Sequence, residues 1–400
     1  MAEVGSPPAQ PDLVITGGHL LDPARKLNGP GWVAVAGERI AAIGTDSVAP
    51  RGRRRIDVTG LLVTPGLIDL HTHLYTGVSY LGVDADAHCL RRGVTTAVDA
   101  GSAGAQTFAG FRRLVIERSK TRILAFLNIA TAGMISPLVG ELEDLRWASV
   151  EDAVACGRAN RSVIAGIKVR LGRQVVGQNV IPALRLARSA ADELHVPLMV
   201  HVTDLPVPIP TILSHLTEGD VITHCFHGRE GGILDATGRV FHEVVAARQR
   251  GVLFDVGHGV GSFAFRVAAA ALEQGFPPSS ISSDLHTLNV NGPVFDQVTT
   301  MSKLLHLGVR LEDVIRMATA SPAAALRASP EIGGLETGRE ADLTIMKLQP
   351  GSWDLSDADG QHITAERLLV PEWTVRCGKA VRARRRDGDG EPDAGRSKRS

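Results

Sequence analysis

Hydrophobic and polar positions change rhythm twice along the chain. Residues 12–18 (DLVITGG), 32–36 (WVAVA) and 39–43 (RIAAI) are short apolar or β-branched runs parted by Gly, Pro and Asp. That pattern predicts hairpin-connected strands and hence a small antiparallel sheet. From Leu62 the texture becomes apolar runs alternating with longer helical stretches, the signature of β/α units around a parallel sheet. Eight strands are predicted, at 66–71, 95–101, 122–130, 163–171, 197–202, 220–226, 252–257 and 279–284, with helices such as 105–118, 179–194, 238–250 and 262–274 between them. Eight such units over roughly 265 residues fit a closed (β/α)8, TIM-like barrel of the α/β class, which typically takes about 250. A doubly wound sheet fits less well, because the Gly-rich first turn it would need is missing. After Pro330 the segments IGGLETGREADLTIMKL and TVRCGKAVRAR return to short strands with Gly turns. Both ends are therefore expected to build one small β-sandwich domain. The expected boundaries are 1–61 and 329–383 for the β-domain, 62–328 for the barrel, and 384–400 for a disordered tail of charge, Gly, Pro and Ser with nothing apolar to bury.

Composition narrows the partners. Among 400 residues, 43 basic and 43 acidic side chains cancel, leaving no general attraction for nucleic acid or an anionic membrane. Two Tyr and four Trp are too few stacking platforms for single-stranded nucleic acid. The expected partner is a small molecule. Cys89, Cys156, Cys225 and Cys377 are far apart and form no Cys-x-x-Cys, which suggests neither a disulfide framework nor a zinc ribbon and points to a reducing compartment. No basic start followed by an apolar run and no eighteen-residue apolar stretch is found, so a cytoplasmic location without a membrane span is expected. The Gly-rich GSAGA after the second barrel strand lacks the context of a nucleotide site and is read as a turn.

Chemistry-bearing residues gather at predicted strand ends. GLIDLHTHL puts His71 and His73 two residues apart, so on a regular strand both imidazoles face one way. A lone His-x-His is weak, but barrel enzymes keep their sites at this rim. In VIAGIKVRL, Lys168 interrupts an apolar strand, where an unpaired ammonium is costly. It is either ion-paired or snorkelling, or an amine of lowered pKa that adds carbon dioxide to become a carbamate, an anionic oxygen ligand. His201 ends strand five (PLMVHVTD), His224 ends strand six (DVITHCFHG) and Asp284 ends strand eight (SSISSDLHT). Each alone reads more readily as a satisfied structural residue. Six of them on five strands at one rim read as a metal site.

VTPGLIDLHTHL, GIKVR, two strand-end histidines and a late aspartate resemble the amidohydrolase superfamily of metal-dependent hydrolases, over nearly the whole chain. Within it, GVTTAVDAGSAGA, GIKVR and SSDLHTLNVNGPVFD look most like the deacetylase or dihydroorotase-like enzymes of the binuclear branch. The resemblance implies that His71, His73 and Asp284 hold a more buried divalent ion, that His201 and His224 hold a more exposed one, and that a carboxylated Lys168 bridges them. Zinc is the default, although manganese, cobalt or iron suit the same donors. Two such ions can share a water and make it a nucleophilic hydroxide, with Asp284 moving its proton to the leaving group. Relatives of this shape commonly associate, which implies a homo-oligomer.

Substrate contacts are sought on the same rim. Arg170, two residues beyond Lys168, is either a clamp for a substrate carboxylate or an ion-pair partner. His258 and His286 fall in rim loops, while Asn128 and Tyr75 are weaker candidates near the ends of strands three and one. His227 is expected only to cap a turn. The activity expected is hydrolysis of an amide or ester acyl bond in a small carboxylate-bearing molecule, such as an N-acyl amino acid or an O-acetyl hydroxy acid. The alternatives are a cyclic amidase of the dihydroorotase or hydantoinase kind and a non-catalytic scaffold on the same fold.

Overall fold

The structure is a computed structural model that describes residues 10–45 and 48–384, so most of the expected tail lies outside the described residues. Its first strands are β1 (Leu13–Asp22), β2 (Leu27–Ala36), β3 (Arg39–Gly44), β4 (Arg54–Asp57) and β5 (Leu62–Pro65). Seven parallel strands follow: β6 (Leu67–Thr72), β7 (Val94–Gly104), β8 (Arg122–Asn128), β9 (Ile164–Arg170), β10 (Leu198–His201), β11 (Val221–Thr223) and β12 (Leu253–Asp255). The chain then ends in β13 (Leu343–Ser356), β14 (His362–Arg376) and β15 (Lys379–Arg382). Helices Val180–Leu194, His242–Gln249 and Phe265–Glu273 fall where the 3.6-residue period predicts them.

The seven strands lie in sequence order from β6 to β12. The eighth predicted strand is reduced to two parallel bridges, Asp255 to Ser280 and Thr72 to Leu285, which join the sheet's outer strands across residues 280–285. The reason lies in its side chains. Ser280 and Ser282 hydroxyls donate to Asp255, and the Ser283 backbone amide donates to Asp69. Carboxylates thus replace part of the ladder, while main-chain bonds such as Asp284 N to His71 O (2.7 Å) and His73 N to Leu285 O (2.9 Å) complete the junction.

Alternation fills the enclosed space. Ile68, Leu70, Val98, Ala100, Phe126, Met199 and Val221 pack together, with Ala323, Leu326 and Ile332 joining the same cluster. Leu198 and Val200, the residues of opposite phase on β10, instead join the large cluster formed with helices such as Val180–Leu194. The other sheet runs β15-β14-β13-β5-β1-β2-β3, with β4 also paired to β1, so strands from both ends of the chain share it. Its core includes Leu13, Ile15, Val33 and Val35 from the start of the chain and Leu343, Ile345 and Val375 from its end. No helix among the described residues is long and apolar enough to cross a membrane.

Candidate metal centre and active-site pocket

Six strand-end side chains meet in one cavity of about 350 Å³: His71, His73, Lys168, His201, His224 and Asp284. Simple alternation aims only some of them. Met199 and His201 share one phase of β10, and Lys168 and Arg170 share one phase of β9. On β6, however, Ile68 and Leu70 face the inner cluster, so a regular strand would turn His71 away. The ladder to β7 slips between Asp69 and Thr72, a bulge that re-aims the side chain. His224 and Asp284 are turned in by backbone instead, with φ of 72° and 50°. For residues other than glycine this left-handed region costs roughly 1 kcal/mol or more.

Neighbouring groups then fix the imidazole tautomers. Thr223 donates its hydroxyl proton to Asp255 (2.9 Å), so it accepts from His71 Nδ1 at 2.8 Å. His224 Nδ1 donates to the carbonyl of Gly257 at 2.6 Å. In both rings Nε2 is left with a bare lone pair. His73 Nδ1 lies 3.0 Å from Ser102 Oγ. Burial, more than any neighbouring charge, keeps these rings neutral: it pushes His73 and His224 down to about 3 and holds His71 and His201 well below the usual imidazole range. Burial likewise pushes the Lys168 ammonium down to about 7. Gly101 makes room for that side chain, since a Cβ there would stand 2.7 Å from Lys168 Cγ in a backbone with φ of 95°.

Lone pairs face one another at the centre. Asp284 Oδ1 is 3.0 Å from His73 Nε2 and 3.3 Å from His71 Nε2, yet it has no hydrogen-bond partner, and neither does His224 Nε2. Ligand atoms of His71, His224 and Asp284 lie within 4.8 Å of one another. Lys168 Nζ is 3.5 Å from His71 Nε2, and the His201 and His224 rings are 4.4 Å apart. Buried acceptors this close repel unless something positive sits among them. The donor set of neutral imidazoles, a carboxylate and an amine of lowered pKa fits divalent metal ions.

Substrate-contact expectations divide. Arg170 and His286 line the cavity. Arg170 is at the same time the ion-pair partner that was its alternative, 3.3 Å from both oxygens of Glu141 and hydrogen-bonded to Tyr80. Three other candidates do not reach the cavity. Tyr75 is buried with its hydroxyl on the Thr107 carbonyl. Asn128 spends its amide on Gly101 O and Ala130 N. His258 gives Nδ1 to Gly259 O and receives Lys303 Nζ at Nε2, 2.7 Å away. Their polar atoms satisfy buried backbone and a buried lysine, needs that a count from the strand end cannot reveal. His227 does cap a turn, its Nδ1 accepting from Arg229 N. Sequence reading missed Tyr80, Arg173, Thr203, Asp204, Arg229 and Ser262, which also line the cavity. It also missed Thr223 and Asp255, whose only signal was polarity inside apolar strands.

A (β/α)-type barrel with this polar constellation at its rim defines the class, and comparison with known proteins gives the family. Residues 62–366 match the Amidohydrolase family, and the chain belongs to it. The chain is similar to a deacetylase of Brucella anthropi, 39% identical over 347 residues and 86% of each chain. It is also similar to two solved structures, described as an adenine deaminase (33% identity, TM-score 0.88, 93% of this chain and 100% of the other) and a dihydroorotase (34%, TM-score 0.85, 93% and 99%). The family makes the protein a hydrolase acting on small molecules, in keeping with the TIM-like barrel and the candidate metal ligands.

Proposed function

We propose that this chain is a deacetylase or deacylase that uses two divalent metal ions, with zinc the first choice, to cleave the amide or ester acyl bond of a small carboxylate-bearing acid. The observation carrying the metal reading is the convergence of His73 Nε2 and His71 Nε2, at 3.0 and 3.3 Å, on Asp284 Oδ1, a buried oxygen without a hydrogen-bond partner. His71, His73 and Asp284 would hold one ion, His201 and His224 the other, and a carboxylated Lys168 would bridge them. Ions held there would supply Lewis acidity toward a carbonyl and toward water. Asp284 is the proton carrier, because its carboxylate is the acceptor at the centre of the cluster and its φ of 50° turns it into the cavity. The deacetylase relative supports acyl cleavage. We further read residues 62–328 as the catalytic barrel and residues 1–61 with 329–383 as a β-sandwich, consistent with the core that both terminal segments share.

A second reading is favoured by the structure described as a dihydroorotase: ring opening of a cyclic imide with the same ligands. One screen separates the two. Metal-loaded protein is offered N-acetyl amino acids and O-acetyl hydroxy acids in both enantiomers, dihydroorotate, hydantoins and adenine. Release of acetate alone supports the proposal, whereas ring opening or deamination without it replaces the proposal. Metal content near two equivalents is expected, and less than one after loading with metal and bicarbonate would favour a scaffold. A mass increment of one carbon dioxide on Lys168, lost together with the metals, is the expected sign of the bridge. Asp284→Asn should lower kcat by at least about 100-fold with both metals retained, the scale of a general acid–base.

A further inference from the structure

The cavity has three guanidinium groups around Lys168 and the histidines: Arg170, Arg173 and Arg229. They are not equally available. Arg170 is spent on Glu141 and Tyr80. Arg173 is exposed, and among the described residues its side chain has neither an ion pair nor a hydrogen bond to hold it. Arg229 is exposed too and also lacks an ion pair among the described residues, but its backbone and its side chain are each held once. Its backbone amide donates to His227 Nδ1 at 3.3 Å, and its Nε donates to the Gly261 carbonyl at 3.3 Å. With Nε engaged, the two Nη groups remain for an incoming anion.

Gly261 also ties Arg229 to the segment that meets Asp284. A Cβ on Gly261 would lie 3.0 Å from Arg229 Nη2, and a Cβ on Gly259 would lie 2.5 Å from Asp284 Oδ2. Two residues of chain span at most about 7 Å, so one turn touches Asp284 at one end and the guanidinium at the other. Asp284 and Arg229 also line the same cavity, so a molecule lying along this turn can turn its acyl carbonyl toward Asp284 and its carboxylate toward Arg229. We propose that Arg229 is the specificity-determining residue that selects substrates by their carboxylate, receiving it end-on through both Nη groups. The proposal rests on the acyl-hydrolase reading above.

The test compares wild type, Arg229→Met, Arg229→Lys and Arg173→Met, all metal-loaded, on N-acetylalanine and O-acetyllactate, each as free acid and as methyl ester. Acetate release is followed. In Arg229→Met, kcat/KM for the free acids should fall about 10- to 100-fold, the worth of one charged hydrogen-bonded contact, mainly through KM. The methyl esters should be unaffected, and Arg229→Lys should fall between, because an ammonium cannot pair bidentately. Equal losses on acid and ester, no loss on the acid, or the whole effect appearing in Arg173→Met would overturn the assignment. If wild type releases acetate from none of them, the acyl-hydrolase reading fails instead. Calorimetric titration with lactate then still decides the role of Arg229: weaker binding in Arg229→Met supports it, and equal binding, or no binding to wild type, refutes it.

Discussion

One hydroxyl decides which nitrogen of His71 faces the candidate metal site. Thr223 passes its proton to Asp255 and so must accept from Nδ1. Thr223→Val keeps shape and volume but removes that acceptor, so affinity for the ion proposed to bind His71 should fall about 10- to 100-fold, the usual cost of losing such a support. Competition with a chelating dye measures it, and an unchanged affinity would show that packing alone orients the ring. At this scale the sequence was partly readable. Lys168, Arg170 and His201 follow strict alternation and could be aimed by counting. His71, His224 and Asp284 could be named as candidates but not aimed, because a bulge and two left-handed residues turn them. Backbone irregularities of that kind leave no trace in hydrophobic period. Tyr75, Asn128 and His258 show the converse, since counting brought them to the rim while their hydrogen bonds draw them into the protein.

Among the elements, the segment carrying Asp284 is the most revealing. SSISSD reads as an apolar-to-polar strand end, and its place between the first and seventh barrel strands was foreseeable. That serines and two buried carboxylates would stand in for its ladder was not, because pairing Asp255 with Ser280 and Ser282 needs three-dimensional neighbours. Removing that hub with Asp255→Ala strips acceptors from Thr223, Ser280 and Ser282 together. Leaving buried hydroxyls unpaired should cost roughly 3 kcal/mol in urea unfolding. The amides of Val256 and His258, which bond to Ser280 and Ser282, should then exchange faster than those of β7 to β9. Equal protection throughout would mean that the junction does not depend on the carboxylate.

At the scale of the molecule, the two sheets are stitched together near the site as well as away from it. Lys303 donates to Ser356 O, the Phe265 amide donates to Asp357 and Ala358 N donates to Phe263 O, while Thr374 Oγ1 reaches Leu90 O. Arg122 on β8 pairs with Glu340, which also meets Arg376 of β14. Heating should therefore give one cooperative transition, and a chain lacking residues 343–384 should not keep the far-ultraviolet spectrum of the barrel. Native-like circular dichroism in that truncation would show the barrel to be independent. The two-part texture of the chain was legible from its rhythm, but how tightly the parts depend on each other was not, because these contacts join residues hundreds of positions apart.

Strand β5 pairs with β1 on one side and with β13 on the other. During synthesis at about 5–20 residues per second, the roughly 280 residues between β5 and β13 take on the order of 15 to 60 s to emerge. For that time the nascent chain offers an open strand edge that only its own last-made segment can cover. Yield in a foreign host should accordingly respond to slower translation, lower temperature or added chaperone, even though the finished protein has that edge closed.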